Sequence, residues 1–176
     1  MSRKFLQMQN KPFVKTNADK ILGIDPGFGR MGWAIVRRDK NDYFMEEMGC
    51  IETKSKTPYQ ERIRQIGEEI KKIIAKHHPE TMAIEKLFFT TNQKTAFQVA
   101  EARGVAVYLA ADAKMPILEY TPLEVKTAVC GYGRADKKQI QNMVKILLKL
   151  KTAPKQDDAT DALAVALTAF SYQKPY

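Results

Sequence analysis

The chain has 176 residues, 44% apolar and 28% charged, with a formal net charge of +9. That length supports one large core and leaves too little for two. No stretch of roughly 18 apolar residues occurs, so a bilayer-spanning helix is excluded and no membrane partner is expected.

Residues 1–19 are polar and weakly basic without a period, and read as an N-terminal extension, either a mobile arm or an extra short element. One domain over 20–176 is expected to follow. The run Ile21-Leu22-Gly23-Ile24-Asp25-Pro26-Gly27 is a short apolar strand that ends in a carboxylate, after which Pro26 and Gly27 turn the chain away. Taken alone, Asp25 is most simply an acid that accepts turn hydrogen bonds. Strands are predicted at 20–25, 31–38 and 43–52, linked tightly enough to form an antiparallel meander.

From Pro58 the period becomes helical, with Ile63, Ile66, Ile70, Ile73 and Ile74 on one side up to His77-His78-Pro79. Thr81-Met82-Ala83-Ile84-Glu85 then repeats the first strand's design, an apolar run closed by an acid. A loop with Phe88 and Phe89 leads to a helix over 92–112 whose broad, alanine-rich apolar surface is more than one sheet face would cover. A fifth strand is expected at 116–120, a helix from Pro122 to about Val129, and another from the cap Asp136 to Lys149.

A final helix from about Gln156 carries Asp158 and Asp161, three apart and therefore on one face. Acids in a first turn also suit a helix N-terminus, which is an equally good structural account of them. The order of elements gives an α/β fold with a five-stranded mixed sheet, a three-strand antiparallel meander plus two parallel strands, flanked by helices.

Two carboxylates at strand ends and a pair on a late helix can converge at one rim of such a sheet. Oxygen donors without His or Cys suit Mg²⁺ or Mn²⁺, and two such ions about 4 Å apart would clamp the attacking and leaving oxygens of a phosphoryl displacement. The basic charge fits a polyanionic substrate. Residues 121–155 hold Lys126, Arg134, Lys137, Lys138, Lys145, Lys149, Lys151 and Lys155 against Glu124 and Asp136, and so read as the phosphate-facing surface or as a solubilising helix face. Cys50 and Cys130 lack metal-ligand spacing and follow no secretory signal, which leads to reduced thiols and a cytoplasmic location as the expectation.

In Gly23-Ile24-Asp25-Pro26-Gly27, Ala83-Ile84-Glu85, Ala102-Arg103-Gly104, Val125-Lys126 and Asp158-Ala159-Thr160-Asp161-Ala162-Leu163-Ala164 the sequence resembles the RuvC Holliday-junction resolvases of the ribonuclease H-like superfold, over about Lys20 to Phe170. The resemblance implies a homodimeric, Mg²⁺-dependent endonuclease that nicks four-way DNA junctions in symmetric pairs during recombination and repair, together with a branch-migration helicase complex. It implies two metal ions per site on Asp25, Glu85, Asp158 and Asp161, and leaves a 5′-phosphate and a 3′-hydroxyl. It also implies DNA contacts by Lys126 and Lys137, with Phe88 stacking at the junction centre; Arg134 and Lys138, from the basic segment, are expected to be further DNA contacts. Two departures stand out. Asp157 adds a carboxylate beside Asp158, and Met31 stands where relatives commonly have a hydroxyl residue. The alternatives are a related nuclease acting on RNA or hybrids, and a non-catalytic protein that binds branched DNA.

Overall fold

The computed structural model describes residues 18–87, 93–152, 154 and 156–171, without the side chains of residues 93 and 94. Ten elements follow one another: β1 (Lys20–Asp25), β2 (Arg30–Asp39), β3 (Asp42–Glu52), α1 (Tyr59–His77), β4 (Thr81–Glu85), α2 (Gln93–Asp112), β5 (Ile117–Tyr120), α3 (Pro122–Cys130), α4 (Lys137–Leu147) and α5 (Asp157–Ser171). The strands form one sheet in the order β3-β2-β1-β4-β5. β1 runs antiparallel to β2 and parallel to β4, and β4 runs parallel to β5, so the predicted mixed sheet is the observed one.

The elements end where local chemistry stops them. His78 caps α1 in the left-handed conformation (φ 48°) just ahead of Pro79. Thr121 and Asp136 each make a capping box, with Glu124 and Gln139 respectively, at the starts of α3 and α4. α4 closes two residues earlier than its period predicts, because Lys149 turns to φ 52°. At the beginning of the described chain Ala18 is already buried, and the Arg38 N–H donates to the Asp19 carbonyl at 2.7 Å.

The sheet separates two cores. Leu22 and Ile24 of β1 face α1 and α2, packing with Ile35, Met82, Ile84 and the α1 isoleucines Ile66, Ile70 and Ile73. Met31 belongs to this core and is fully buried, so its side chain makes an apolar contact there. The opposite face packs on α5, backed by α3 and α4, through Ile21, Ala34, Val36, Ala83 and the α5 run from Ala162 to Leu167.

Glycines set how near α5 lies. A Cβ on Gly23 would stand 2.2 Å from the Ala162 carbonyl oxygen, and one on Gly32 would stand 1.9 Å from that of Asp158. No side chain fits at either crossing. A glycine inside a strand commonly marks such close backbone approach, and here it seats the first turns of α5 directly on β1 and β2.

Candidate active site

Strand alternation decides which acids meet α5. Leu22 and Ile24 point into the α1 core, so Asp25 points the other way; Met82 and Ile84 do the same for Glu85. β1 and β4 are parallel neighbours with Ile24 opposite Ile84, so Asp25 and Glu85 end adjacent strands on the face that α5 covers. Asp158 and Asp161 enter from the first two turns of α5.

Electrostatics record their convergence. Burial, then the charges of Glu85, Asp161 and Asp158, push the Asp25 carboxyl up to about 8. Glu85 rises to about 7, chiefly through burial and then through Asp161, with Lys126 pulling the other way. Asp161 is also raised, first by burial, while Lys137 opposes the shift.

Among the described residues no three acid, histidine or cysteine side chains stand close enough to enclose an ion as they are placed. Like charges spread apart, and protein cations draw two of them aside. Arg30 Nε donates to Asp158 Oδ2 at 2.7 Å, and Lys137 Nζ lies 3.6 Å from Asp161 Oδ2 and 3.1 Å from Asp157 Oδ2. The set still fits a hard divalent cation, because several oxygen donors share a partly dry place where their own charges are costly.

The two neighbouring acids of α5 differ. Asp157 is turned outward, bonded by Gln141 Nε2 at 3.1 Å and by Lys137. Asp158 is the one whose charge reaches Asp25. Beside them, Glu85, Lys126, Lys137 and Asp161 line a cleft of about 270 Å³ between β4, α3, α4 and α5. Arg134 and Lys138 are exposed at the start of α4. Phe88 lies outside the described residues.

Three residues at this rim escaped the sequence reading: Arg30, Cys50 and Glu52. Arg30 pairs with Glu52 and Gly32 with Cys50 across the β2–β3 ladder, which brings Cys50 beneath Asp158. The Cys50 thiol is pushed up to about 11, mainly by burial and next by the Asp158 charge, and so remains an S–H donor, 3.8 Å from Asp158 Oδ2. Its alternation with Met48 and Glu52 was the available signal, but only the strand register reveals what it faces.

A mixed five-stranded sheet with acids at the ends of its adjacent parallel strands, covered by an acid-bearing last helix, defines a ribonuclease H-like fold. The model for "Crossover junction endodeoxyribonuclease RuvC" matches residues 21–169. The chain belongs to the RuvC family and is a crossover junction endodeoxyribonuclease. It is 51% identical to the enzyme of that name from Alkaliphilus metalliredigens over 84% of this chain and 90% of the relative. RuvC from Thermus thermophilus superposes with a TM-score of 0.81 at 31% identity, covering 87% of this chain and 94% of that one. The same protein in complex with a Holliday junction substrate gives 0.82 at 32% identity, over 88% and 94%. A divalent metal cofactor accords with that family. Among the described residues no helix is long and apolar enough to cross a membrane.

Proposed function

We propose that this chain resolves four-way DNA junctions as a homodimer, with Asp25, Glu85, Asp158 and Asp161 as the metal-holding carboxylates. The observation that carries this reading is the approach of four acids from β1, β4 and α5 to one rim, two of them with carboxyl pKa values raised to about 8 and about 7. Two Mg²⁺ ions, or Mn²⁺ in their place, would supply activation of water and stabilisation of charge on the phosphate. Asp25, which feels the charges of Glu85, Asp161 and Asp158, would be the acid shared between the ions, with Glu85, Asp158 and Asp161 as the further holders.

Protein groups do the rest. Lys126 and Lys137 line the cleft and offset phosphate charge, Lys137 exchanging its carboxylate partners for the substrate. Arg134 and Lys138 hold the backbone further out. Phe88, three residues beyond Glu85, stacks on a base at the junction centre. Phe97 and Tyr108 of α2 are 81% and 65% exposed. Apolar area of that kind on one long helix supports a two-fold dimer, which would match the symmetry of the junction and of paired nicks. A branch-migration helicase complex in the cytoplasm is the further partner this role calls for.

The decisive experiment incubates the protein with a synthetic mobile junction and with linear duplex, with and without Mg²⁺. Paired nicks confined to the junction and dependent on metal are expected. Junction binding without any metal-dependent product would overturn the assignment of these acids.

A further inference from the structure

Asp158 is held asymmetrically. Arg30 Nε and the Cys50 thiol both donate to its Oδ2, at 2.7 Å and 3.8 Å. Among the described residues nothing donates to Oδ1. Arg30 is itself steered, because its Nη1 donates to Glu52 Oε1 at 2.7 Å. A guanidinium presents its donors in a fixed plane, so two bonds to two carboxylates set the orientation of both.

This small network has a clear backbone origin. Arg30 and Glu52 are directly opposed in the β2–β3 ladder, as are Gly32 and Cys50. The missing side chain at Gly32 lets the Asp158 backbone rest on the strand, within reach of Arg30 two residues earlier. The Arg30 and Glu52 side chains are about half exposed, 52% and 60%, so their pair contributes little to stability. What it can contribute is direction.

We propose that Arg30 is a positioning residue for Asp158: tethered by Glu52, it holds Oδ2 and thereby presents Oδ1 to the divalent ion. The inference rests on the proposed reading of Asp158 as a metal-holding carboxylate. Outer hydrogen bonds of this kind restrict a ligand's rotation, and their loss typically weakens metal affinity roughly 10–100-fold. The opposing possibility is that Arg30 simply competes with the ion for Asp158. The two differ in sign. A competitor's removal tightens metal binding, whereas an orienting group's removal loosens it although a positive charge near a cation has gone.

The test is Mn²⁺ affinity of the full chain without DNA, read from the free-ion signal by electron paramagnetic resonance. Asp158→Asn comes first: if it leaves Mn²⁺ binding unchanged, the assignment of Asp158 as a metal-holding acid fails. Given that it weakens binding, Arg30→Gln should weaken it roughly 10–100-fold. Arg30→Lys should not restore it, since an ammonium lacks the planar fork. Glu52→Gln leaves the arginine in place with a looser hold, and should give a smaller loss in the same direction. Unchanged or tighter binding in Arg30→Gln, or full rescue by lysine, would overturn the proposal. Should Arg30→Gln fail to fold, unchanged affinity in Glu52→Gln would overturn it equally.

Discussion

The two faces of the sheet are built to opposite specifications. Toward α1 and α2 the strands present Leu22, Ile24, Ile35, Met82 and Ile84, branched or long side chains that fill space against the α1 isoleucines. Toward α5 they present Gly23, Gly32, Ala34 and Ala83 beside Ile21 and Val36, and where the helix crosses the glycines α5 answers with Ala159, Ala162 and Ala166. Large side chains hold two layers apart and bury much apolar area, whereas small ones let a helix descend onto the sheet. An aspartate reaches only a short way from its backbone. Bringing Asp158 and Asp161 to Asp25 therefore requires the thin face, while both faces bury an apolar core.

That division can be broken first at its chemical end. Asp25→Asn should reduce junction cleavage by on the order of 10³-fold or more, the scale of losing a charged member of a catalytic set, while junction binding by gel shift is retained. Cleavage close to wild type would remove Asp25 from the site. On the same rim Asp158→Asn should be far more damaging than Asp157→Asn, and the reverse ranking would mean that α5 presents its other acid.

A packing pair comes next. Ile70→Ala, in the thick face, should cost roughly 2–5 kcal/mol in urea unfolding yet leave cleavage by the folded fraction nearly unchanged. Gly32→Ala, in the thin face, should cost roughly 1–3 kcal/mol and in addition depress cleavage, since the new Cβ meets the Asp158 backbone. Equal loss of cleavage in both variants would erase the distinction between the faces.

Proton linkage gives a smaller, pH-resolved effect. In chelator, the folded chain holds a proton on Asp25 far more tightly than the unfolded chain does, with a pKa of about 8 against 3.8. Its contribution to stability is therefore full below the unfolded value and is lost as pH rises toward about 8. Asp25→Asn should accordingly melt above wild type at alkaline pH, by about 2–4 °C per kcal/mol relieved, and the gap should close toward pH 4. A gap independent of pH would assign the effect to something other than this carboxyl. The smallest expected change concerns the basic surface: Lys138→Ala should flatten the log–log salt dependence of junction binding by about 0.9 without altering which junctions are chosen.

The fold and the acid pair were legible because both rest on local signals. An apolar run closed by an acid, followed by Pro-Gly, marks the end of β1, and period-two alternation alone places Asp25 and Glu85 on one face once β1 and β4 pair. The Arg30–Glu52–Asp158 network was not legible. It depends on the register of β2 with β3, which shifts at an irregularity between Ile35 and Val36 that no turn residue announces. Met31 shows the same limit from another side. The resemblance marks it only as standing in place of a hydroxyl residue, whereas the alternation of β2 turns it into the α1 core.

The position of β1 also bears on time. It is hydrogen-bonded along both edges, to β2 and to β4, so its amides should exchange with deuterium only through unfolding of the whole domain. The first turn of α5 belongs to another kinetic class, because its leading N–H groups have no partner within the helix and helix ends open locally. On that expectation Asp25 ends a strand that opens late, while Asp158 stands in a helix turn that opens more often. A protection map should show this step between neighbours in space, and it gives the site a stationary side against which the other can adjust as a strand is engaged and released.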